Sequence, residues 1–567
     1  MTALSALAFA ITAPSVATFN LATVSTATFS AIVFSPRLFS RATLAPFSDA
    51  VVVMNASLLA GNSCTAAEDL TSIISAKDQS GTTKLFAAGL KKIYAVDSVG
   101  ALTGVFSFTG TYAQSGTTTL TVTSIAHKLK TGDSVYLDFT SGSAADGQFT
   151  VTKLTVDTFT VTTTSATTSG NVTISSTSTG YNTGSTDRFR FTLFGNQVIG
   201  TNFSERLQVY STDGSSSFKN LSDSAPVAKF ITVVRDFVVC AHLAESGTTR
   251  PYRVRWSAIN DETNWVENVN TQSDYQDIPD GGHITGIRGG EFGIILLEKS
   301  ISRMSYAGTP FIFQFDNISR GKGCIAAGSV CQYQGLTFFL SDDGFYVCDG
   351  QKVTPIGAEK IDRFFFNDAS LDFTTMSAAA DPIRKLIMWN YLSTDGTRKL
   401  LVYNFTIGKW SYMETTADYI SDASTASVTL EQLDSVNASI DALAVSMDSA
   451  LYAGGKYFLG GTDGTRVITF TGANKSAVLE TGDIDAGRSI VMLARPLVDN
   501  GSASVSVASR TLLTQSLSFG SASAADTDNR VSLRSSGKYH RLRMQPTGDN
   551  WKTAMGLDVD VVQQGIR

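Results

Sequence analysis

Four times along this chain of 567 residues, a short apolar strand runs into an Asp-Gly pair and out into a second strand rich in aromatic and β-branched residues. Thr212-Asp213-Gly214, Thr394-Asp395-Gly396 and Thr462-Asp463-Gly464 write the turn in one form. Asp343-Gly344, between Phe338-Phe339-Leu340 and Phe345-Tyr346-Val347, adds a fourth. Asp-Gly between apolar runs signals a hairpin, and a type I′ turn with positive φ at both central positions is the expectation. Units of this kind start near Lys84, Phe191, Phe230, Ile284, Val330, Leu386 and Leu443. Apart from one large gap, their spacing is about 40 to 55 residues, close to that of a four-stranded propeller blade. The fold class expected is therefore all-β: a β-propeller of six or seven blades, or fewer if one start belongs to another domain, with an inserted small β-domain and a C-terminal β-rich region.

The gap is the insertion. From 111 to 186 the chain is Thr- and Ser-rich and alternates, as in Asp157-Thr158-Phe159-Thr160-Val161-Thr162, the period-2 pattern of half-buried antiparallel strands. The organisation that follows is an N-terminal arm with entry strands over 1–75, a first propeller hairpin over 76–110, the insert over 111–186, the main blades over 187–483 and the β-rich tail over 484–567. Helix signals are few: Glu359 to Asn367 reads as a short helix, and Leu433 to Leu451 is ambiguous. Runs such as Gly293-Ile294-Ile295-Leu296-Leu297 are apolar on both faces, which predicts burial between blades or at a subunit contact.

Arg37 and Arg41 are the only charges before Asp49. No basic residue precedes Arg37 and Pro14 breaks the first apolar run, so an extended arm packing on a neighbouring subunit fits better than a secretory signal. Whether these residues are an arm or are processed stays open. No window has the apolar length of a membrane span, so no membrane is expected as a partner.

Composition removes several function classes. Lys plus Arg is 44 against 50 for Asp plus Glu, a formal net charge of −6, so tight phosphate neutralisation along DNA is not expected. The five cysteines, Cys64, Cys240, Cys324, Cys331 and Cys348, contain no Cys-x-x-Cys pair and read as free, mostly buried thiols. His127, His242, His283 and His540 are scattered, so no metal site is expected. Gly-x-Ser-x-Gly and the Gly-x-x-x-x-Gly-Lys-Ser/Thr loop are absent, and no catalytic or cofactor-binding residue is assigned. The Asp-Gly turns lack the spacing of a sialidase Asp-box.

One charged segment stands out. Between Trp256 and Gly282 lie Asp261, Glu262, Glu267, Asp274, Asp277 and Asp280, with no Lys or Arg among them. Such a segment suits a channel lining where negative charge keeps DNA from adhering, or a solvated surface loop. It also suits pairing with Arg253, Arg255 or Arg288 of a neighbouring subunit.

The order of blocks in the middle of the chain carries a resemblance. Trp256-Ser257-Ala258-Ile259-Asn260-Asp261-Glu262-Thr263-Asn264-Trp265 is followed by Ile284-Thr285-Gly286-Ile287-Arg288 and Gly293 to Ile301. Arg320-Gly321-Lys322-Gly323-Cys324-Ile325-Ala326 and the Phe338 to Gly350 hairpin come next. This order resembles the tail nozzle or hub proteins of short-tailed phages, the packaged-DNA stabilisation family. Gly537 to Arg543 with Gly556-Leu557-Asp558-Val559-Asp560 looks like the ending of related phage virion proteins. The resemblance implies a non-enzymatic virion protein, assembled in the host cytoplasm, whose hexameric ring closes the tail channel, retains packaged DNA and opens for ejection. Implied partners are further copies of the chain, a neighbouring tail adaptor ring, tail fibres or spikes, and weakly held DNA in the channel. The alternative is a β-propeller glycosidase or lectin acting on host surface polysaccharide. A secreted adhesin is a third reading, drawn from the Thr-rich insert and the apolar N-terminus.

Overall fold

The computed structural model describes residues 51–53, 66–96, 102–104, 108–424 apart from 216 and 246, 457–470, 477–547 apart from 500, 551 and 554–564. The first 48 residues, the start near Leu443 and the segment Leu433 to Leu451 lie outside the described residues.

Seven four-stranded antiparallel sheets follow one another along the chain, and each is a blade. Their first strands are Ser72–Lys77, Arg190–Phe194, Val227–Val234, Ile284–Arg288, Cys331–Tyr333, Ser377–Asp381 and Tyr419–Ser424. In blades 1 to 6 the strands pair in chain order. Blade 7 is different: its outer strand is Val51–Val53, which pairs with Arg466–Phe470, so the two ends of the ring are clasped in one sheet.

Seven apolar clusters close the ring, one at each junction between blades. Phe86 and Ile93 of blade 1 meet Phe189 and Val198 of blade 2, Ile199 meets Ile231 and Val238, and Phe237 meets Ile295 and Met304. Leu296 then packs with Phe339 and Cys348, Phe345 with Trp389 and Trp410, and Met388 with Ile420 and Ile468. The circuit ends where Ala423 and Val467 of blade 7 pack on Ile73 and Leu85 of blade 1. Blades 4 and 5 are also tied by the Gln332 Nε2 donor to the Gly289 carbonyl, at 2.9 Å.

This arrangement explains the strands that are apolar on both faces. In Gly293–Leu297, all five residues are buried. Ile295 and Leu297 face blade 3, while Ile294 and Leu296 face blade 5. Alternate side chains of one strand thus serve two different interfaces, as the two-residue period of a strand requires. Blade 6 repeats it: Ile387, Trp389 and Tyr391 face blade 5, and Leu386 and Met388 face blade 7.

Three of the Asp-Gly pairs join the second and third strands of a blade: Asp343-Gly344 in blade 5, Asp395-Gly396 in blade 6 and Asp463-Gly464 in blade 7. The fourth, Asp213-Gly214, joins the third and outer strands of blade 2. None is a type I′ turn, because only the glycine has positive φ in each. At Gly396 (φ +85°) the reason is visible. Gly396 N–H donates to the Ser393 carbonyl at 3.0 Å, and the Asp395 carboxylate accepts from Thr397 N at 2.8 Å and Oγ1 at 2.5 Å. Asp395 stays at negative φ to make those bonds, and the left-handed residue comes after the turn as in a three-residue hairpin loop.

Where a hairpin is expected over 76–110, the structure has a complete blade from Ser72 to Gly104. The inserted sheet begins at Phe108 and ends at Ser175, with its own core of Leu120, Val122, Phe159, Val161 and neighbours. The C-terminal sheet reaches back past the expected start at 484, because Leu479–Glu480 pairs with Val531–Thr547. The short helix is present as Asp362–Asp368, with Phe365 fully buried in the junction of blades 5 and 6.

Candidate functional site

The first strands of six blades, with the turn just before the first strand of blade 5, surround an axial cavity of about 630 Å³. Its wall carries Lys77, Arg188, Arg190 and Arg288 against a single carboxylate, Asp422. The pattern that delivers two of these is Arg188-Phe189-Arg190-Phe191, where alternation sends the arginines and the phenylalanines to opposite sides. Phe189 and Phe191 stack on one another, 5.7 Å between centroids, and pack into the junction of blades 1 and 2.

Each guanidinium is held by its neighbours. Arg188 lies over the Tyr419 ring at 4.9 Å and Arg190 over the Phe230 ring at 4.7 Å. Arg190 Nη1 also donates to the Lys229 carbonyl at 3.2 Å, and Arg288 Nη2 donates to the Val330 carbonyl. Burial draws the Arg188 guanidinium below its usual range, opposed by Tyr419 and reinforced by Arg288. Burial, with Arg188 beside it, pulls Arg190 down to about 9. Asp422 stands free in the cavity, so solvent reaches it, yet the surrounding wall raises its carboxyl while Arg288 pulls it back down.

The acidic segment lies elsewhere. Asp261, Glu262 and Glu267 are in the loop joining the third and outer strands of blade 3, Asp274 and Asp277 are on its outer strand Asp274–Asp277, and Asp280 follows it. All six are therefore at the ring's perimeter, and none lines the axial cavity of this chain. Pairing with Arg253 and Arg255 occurs, but within the one chain. Arg253 makes a bidentate bond to Asp277 at 2.7 and 2.9 Å and a third to Glu245 at 2.8 Å, stacked 3.8 Å from the Tyr275 ring. The hydrogen bonds it donates to Asp277 raise the Arg253 guanidinium, and Arg253 in turn holds the Asp277 carboxyl low.

Arg255 bonds Glu245 at 2.7 Å and the Trp265 carbonyl at 2.6 Å, with Glu267 at 3.9 Å. Asp261 caps its own turn through Thr263, Glu262 accepts from Gln197 Nε2 of blade 2 at 2.8 Å, and Asp274 accepts from Tyr275 N. Asp280 is exposed, and only its backbone carbonyl is engaged, by Ser300. Arg288 is not near this segment; it faces the axial cavity.

Among the described residues no three His, Cys, Asp or Glu side chains converge as a metal site. Cys240, Cys324, Cys331 and Cys348 are buried free thiols, and burial pushes Cys331 up to about 12, which leaves the thiol unreactive. Cys64 lies outside the described residues. His540 bonds Ser489 at 2.9 Å and Ser509 at 2.7 Å, but His540 and Ser489 are sealed inside the C-terminal sheet, so this contact is packing.

The axial arginines are absent from the sequence reasoning, apart from Arg288, which it set against the acidic segment. The available signal was the Arg-Phe alternation at the start of a blade, since Phe on one side and Arg on the other marks a strand with one dry face and one wet one.

No family model and no curated protein matches this chain. Among solved structures, it is similar to a phage phi92 endosialidase, with 17% identity and a TM-score of 0.20 over 46% of this chain and 50% of that one. It is also similar to the WD40 domain of Toxoplasma gondii coronin, with 7% identity and a TM-score of 0.27 over 64% and 82%. The computationally designed Ika8 protein matches with 10% identity and a TM-score of 0.29 over 71% and 97%. The chain spans half the length of the endosialidase. Likenesses at these TM-scores carry no argument, and the fold rests on the strand order and the junction clusters.

Proposed function

We propose that this chain is a structural component of a phage tail, acting by assembly into a ring that closes the tail channel, retains packaged DNA and opens for ejection. The observation that carries the reading is where the resembling blocks fall. Trp256–Trp265, Ile284–Arg288, Gly293–Ile301, Arg320–Ala326 and Phe338–Gly350 fall in chain order through blades 3 to 5, so, Arg288 apart, they are mainly framework. Two further features favour assembly. The acidic segment presents Asp280 and Glu267 outward at the perimeter of blade 3, where a head-to-tail neighbour would dock. The insert exposes Ile125, Leu154 and Val156 on adjoining loops, tied by Ala126 N donating to Asp157, an apolar tip suited to an attached tail component.

Native mass measurement and imaging of the chain, alone and with the adjoining adaptor ring, test this. A six-fold ring is expected; a stable monomer under both conditions overturns it. A propeller that binds surface polysaccharide is favoured by one observation, the cationic axial cavity. The usual two-carboxylate form of glycoside hydrolysis has a pair flanking the sugar, whereas the cavity wall carries Asp422 as its one carboxylate.

A further inference from the structure

We infer that the axial cavity is a binding site for a small oxyanion, a carboxylate or a phosphate, held by Arg188, Arg190 and Arg288. The inference stands independently of the tail assignment, since it rests on the wall of one chain's own ring.

Three half-buried guanidinium groups face one axial cavity, open to solvent, without a matching set of carboxylates. Among the described residues none of the three makes an ion pair, although Lys229 beside them is paired to Asp187 at 2.9 Å. Charges removed from bulk water are ordinarily paired, because an unpaired one loses its hydration without compensation. Here the groups instead repel: Arg188 and Arg288 both act to lower Arg190, and Arg288 acts to lower Arg188. A fold that only needed to fill this space would have used apolar side chains.

The donors are also held ready. A guanidinium carries five N–H donors in a fixed plane. Among the described residues, Arg190 and Arg288 each use one on a backbone carbonyl, Arg188 donates none, and the Arg288 Nε donor is buried without a partner. The Tyr419 and Phe230 rings fix two of the planes from behind, leaving N–H edges for a planar or tetrahedral oxyanion, the ligands arginine binds in bidentate fashion. The cavity volume is that of a small-molecule site. Asp422 sets a limit on the ligand: it competes for Arg288, so the bound oxyanion has to displace that attraction.

The test uses the purified full chain, titrated calorimetrically with inorganic phosphate and separately with citrate, against potassium chloride at matched ionic strength. Saturable binding of phosphate or citrate, with a rise in melting temperature that follows occupancy, is expected. Preference between the two probes assigns the phosphate or the carboxylate source. Arg190→Gln is expected to weaken binding by at least about tenfold, and, by relieving repulsion, to leave the ligand-free melting temperature unchanged or higher. An arginine with only a structural role would lower it. If Arg190→Gln fails to fold, Asp422→Asn serves, and it is expected to tighten binding by removing the competing carboxylate. No saturable binding of either probe at tens of millimolar, equal binding by Arg190→Gln, or weaker binding by Asp422→Asn overturns the inference.

Discussion

The blades and the inserted sheet are both antiparallel, yet they bury their side chains on opposite plans. A blade strand such as Gly293–Leu297 is apolar at every position because a neighbour covers each face. In the insert, Phe159 and Val161 face Val122 and Leu120 inward, while Thr158, Thr160 and Thr162 pair with Thr123, Thr121 and Thr119 on the outward face. The insert therefore folds around one core of its own, whereas no blade owns a core at all. Stability in the ring is a property of junctions, as in other repeat architectures where each unit interacts with its neighbours.

The sharpest way to break this comparison is a charge at a junction. Ile295→Asp places a carboxylate in the dry interface of blades 3 and 4, and a loss of more than about 4 kcal/mol is expected. The readout is soluble yield and the thermal melt, with the C-terminal sheet kept as an internal reference. A variant melting like wild type would mean that the junction is not what holds the blade.

Phe159→Ala is expected to cost about 3–5 kcal/mol, but only within the insert. Hydrogen exchange should show lost protection over 108–175 and unchanged protection at the blade 4 strand Gly293–Leu297. Equal loss in both regions would show that the two cores are one cooperative unit.

Asp362→Asn probes the junction of blades 5 and 6 with the opposite sign. Asp362 accepts from Phe345 N at 3.1 Å, and burial raises its carboxyl from 3.8 to about 6, the neighbouring Asp343 adding to it. A carboxyl raised in the folded state contributes stability that is fully present below pH 3.8 and lost as pH rises through about 6. At pH 8 the native protein thus holds an ionised group where a neutral one is preferred. The amide keeps the acceptor oxygen, so a gain on the order of 2 kcal/mol at pH 8 is expected, fading as pH falls toward 4. A gain that does not vary with pH would assign the effect to something other than ionisation. The smallest change is Thr162→Val on the outward face of the insert, expected to stay within about 0.5 kcal/mol by the same melt; a cost near that of Phe159→Ala would mean the face is covered.

Much of this division could be read in the residues. The unbroken Gly293 to Leu297 run and the Thr-alternating 158–162 segment differ by period alone, and period is what burial on two faces or one dictates. The turn chemistry was less legible: Asp-Gly marks a hairpin, but the pair alone does not say which residue takes positive φ, and all four turns leave Asp at negative φ, whether Thr397 bonds the carboxylate as at Asp395 or Tyr346 and Lys322 do as at Asp343. The axial site was hidden for another reason. Arg188, Arg288 and Asp422 are separated by many residues in the chain and meet only because each sits on the first strand of a blade, or just before it, a coincidence of ring geometry that no local window contains. The acidic segment, by contrast, is local and conspicuous, and its compactness in sequence says nothing of the fact that Arg253 lies directly across the ladder from Asp277.

The clasp in blade 7 has a bearing on the order in which the molecule is made. Val51–Val53 leaves the ribosome before the other described strands and its partner Arg466–Phe470 only after blades 1 to 6 and the insert. Each of those blades can stack on its predecessor as it emerges, but blade 7 has no outer strand until the oldest described residues return to it. Ring closure is thus a late event in the life of the nascent chain. Because closure entropy grows only with the logarithm of the loop length, a three-residue strand together with the blade 7 to blade 1 junction can join ends so far apart in sequence.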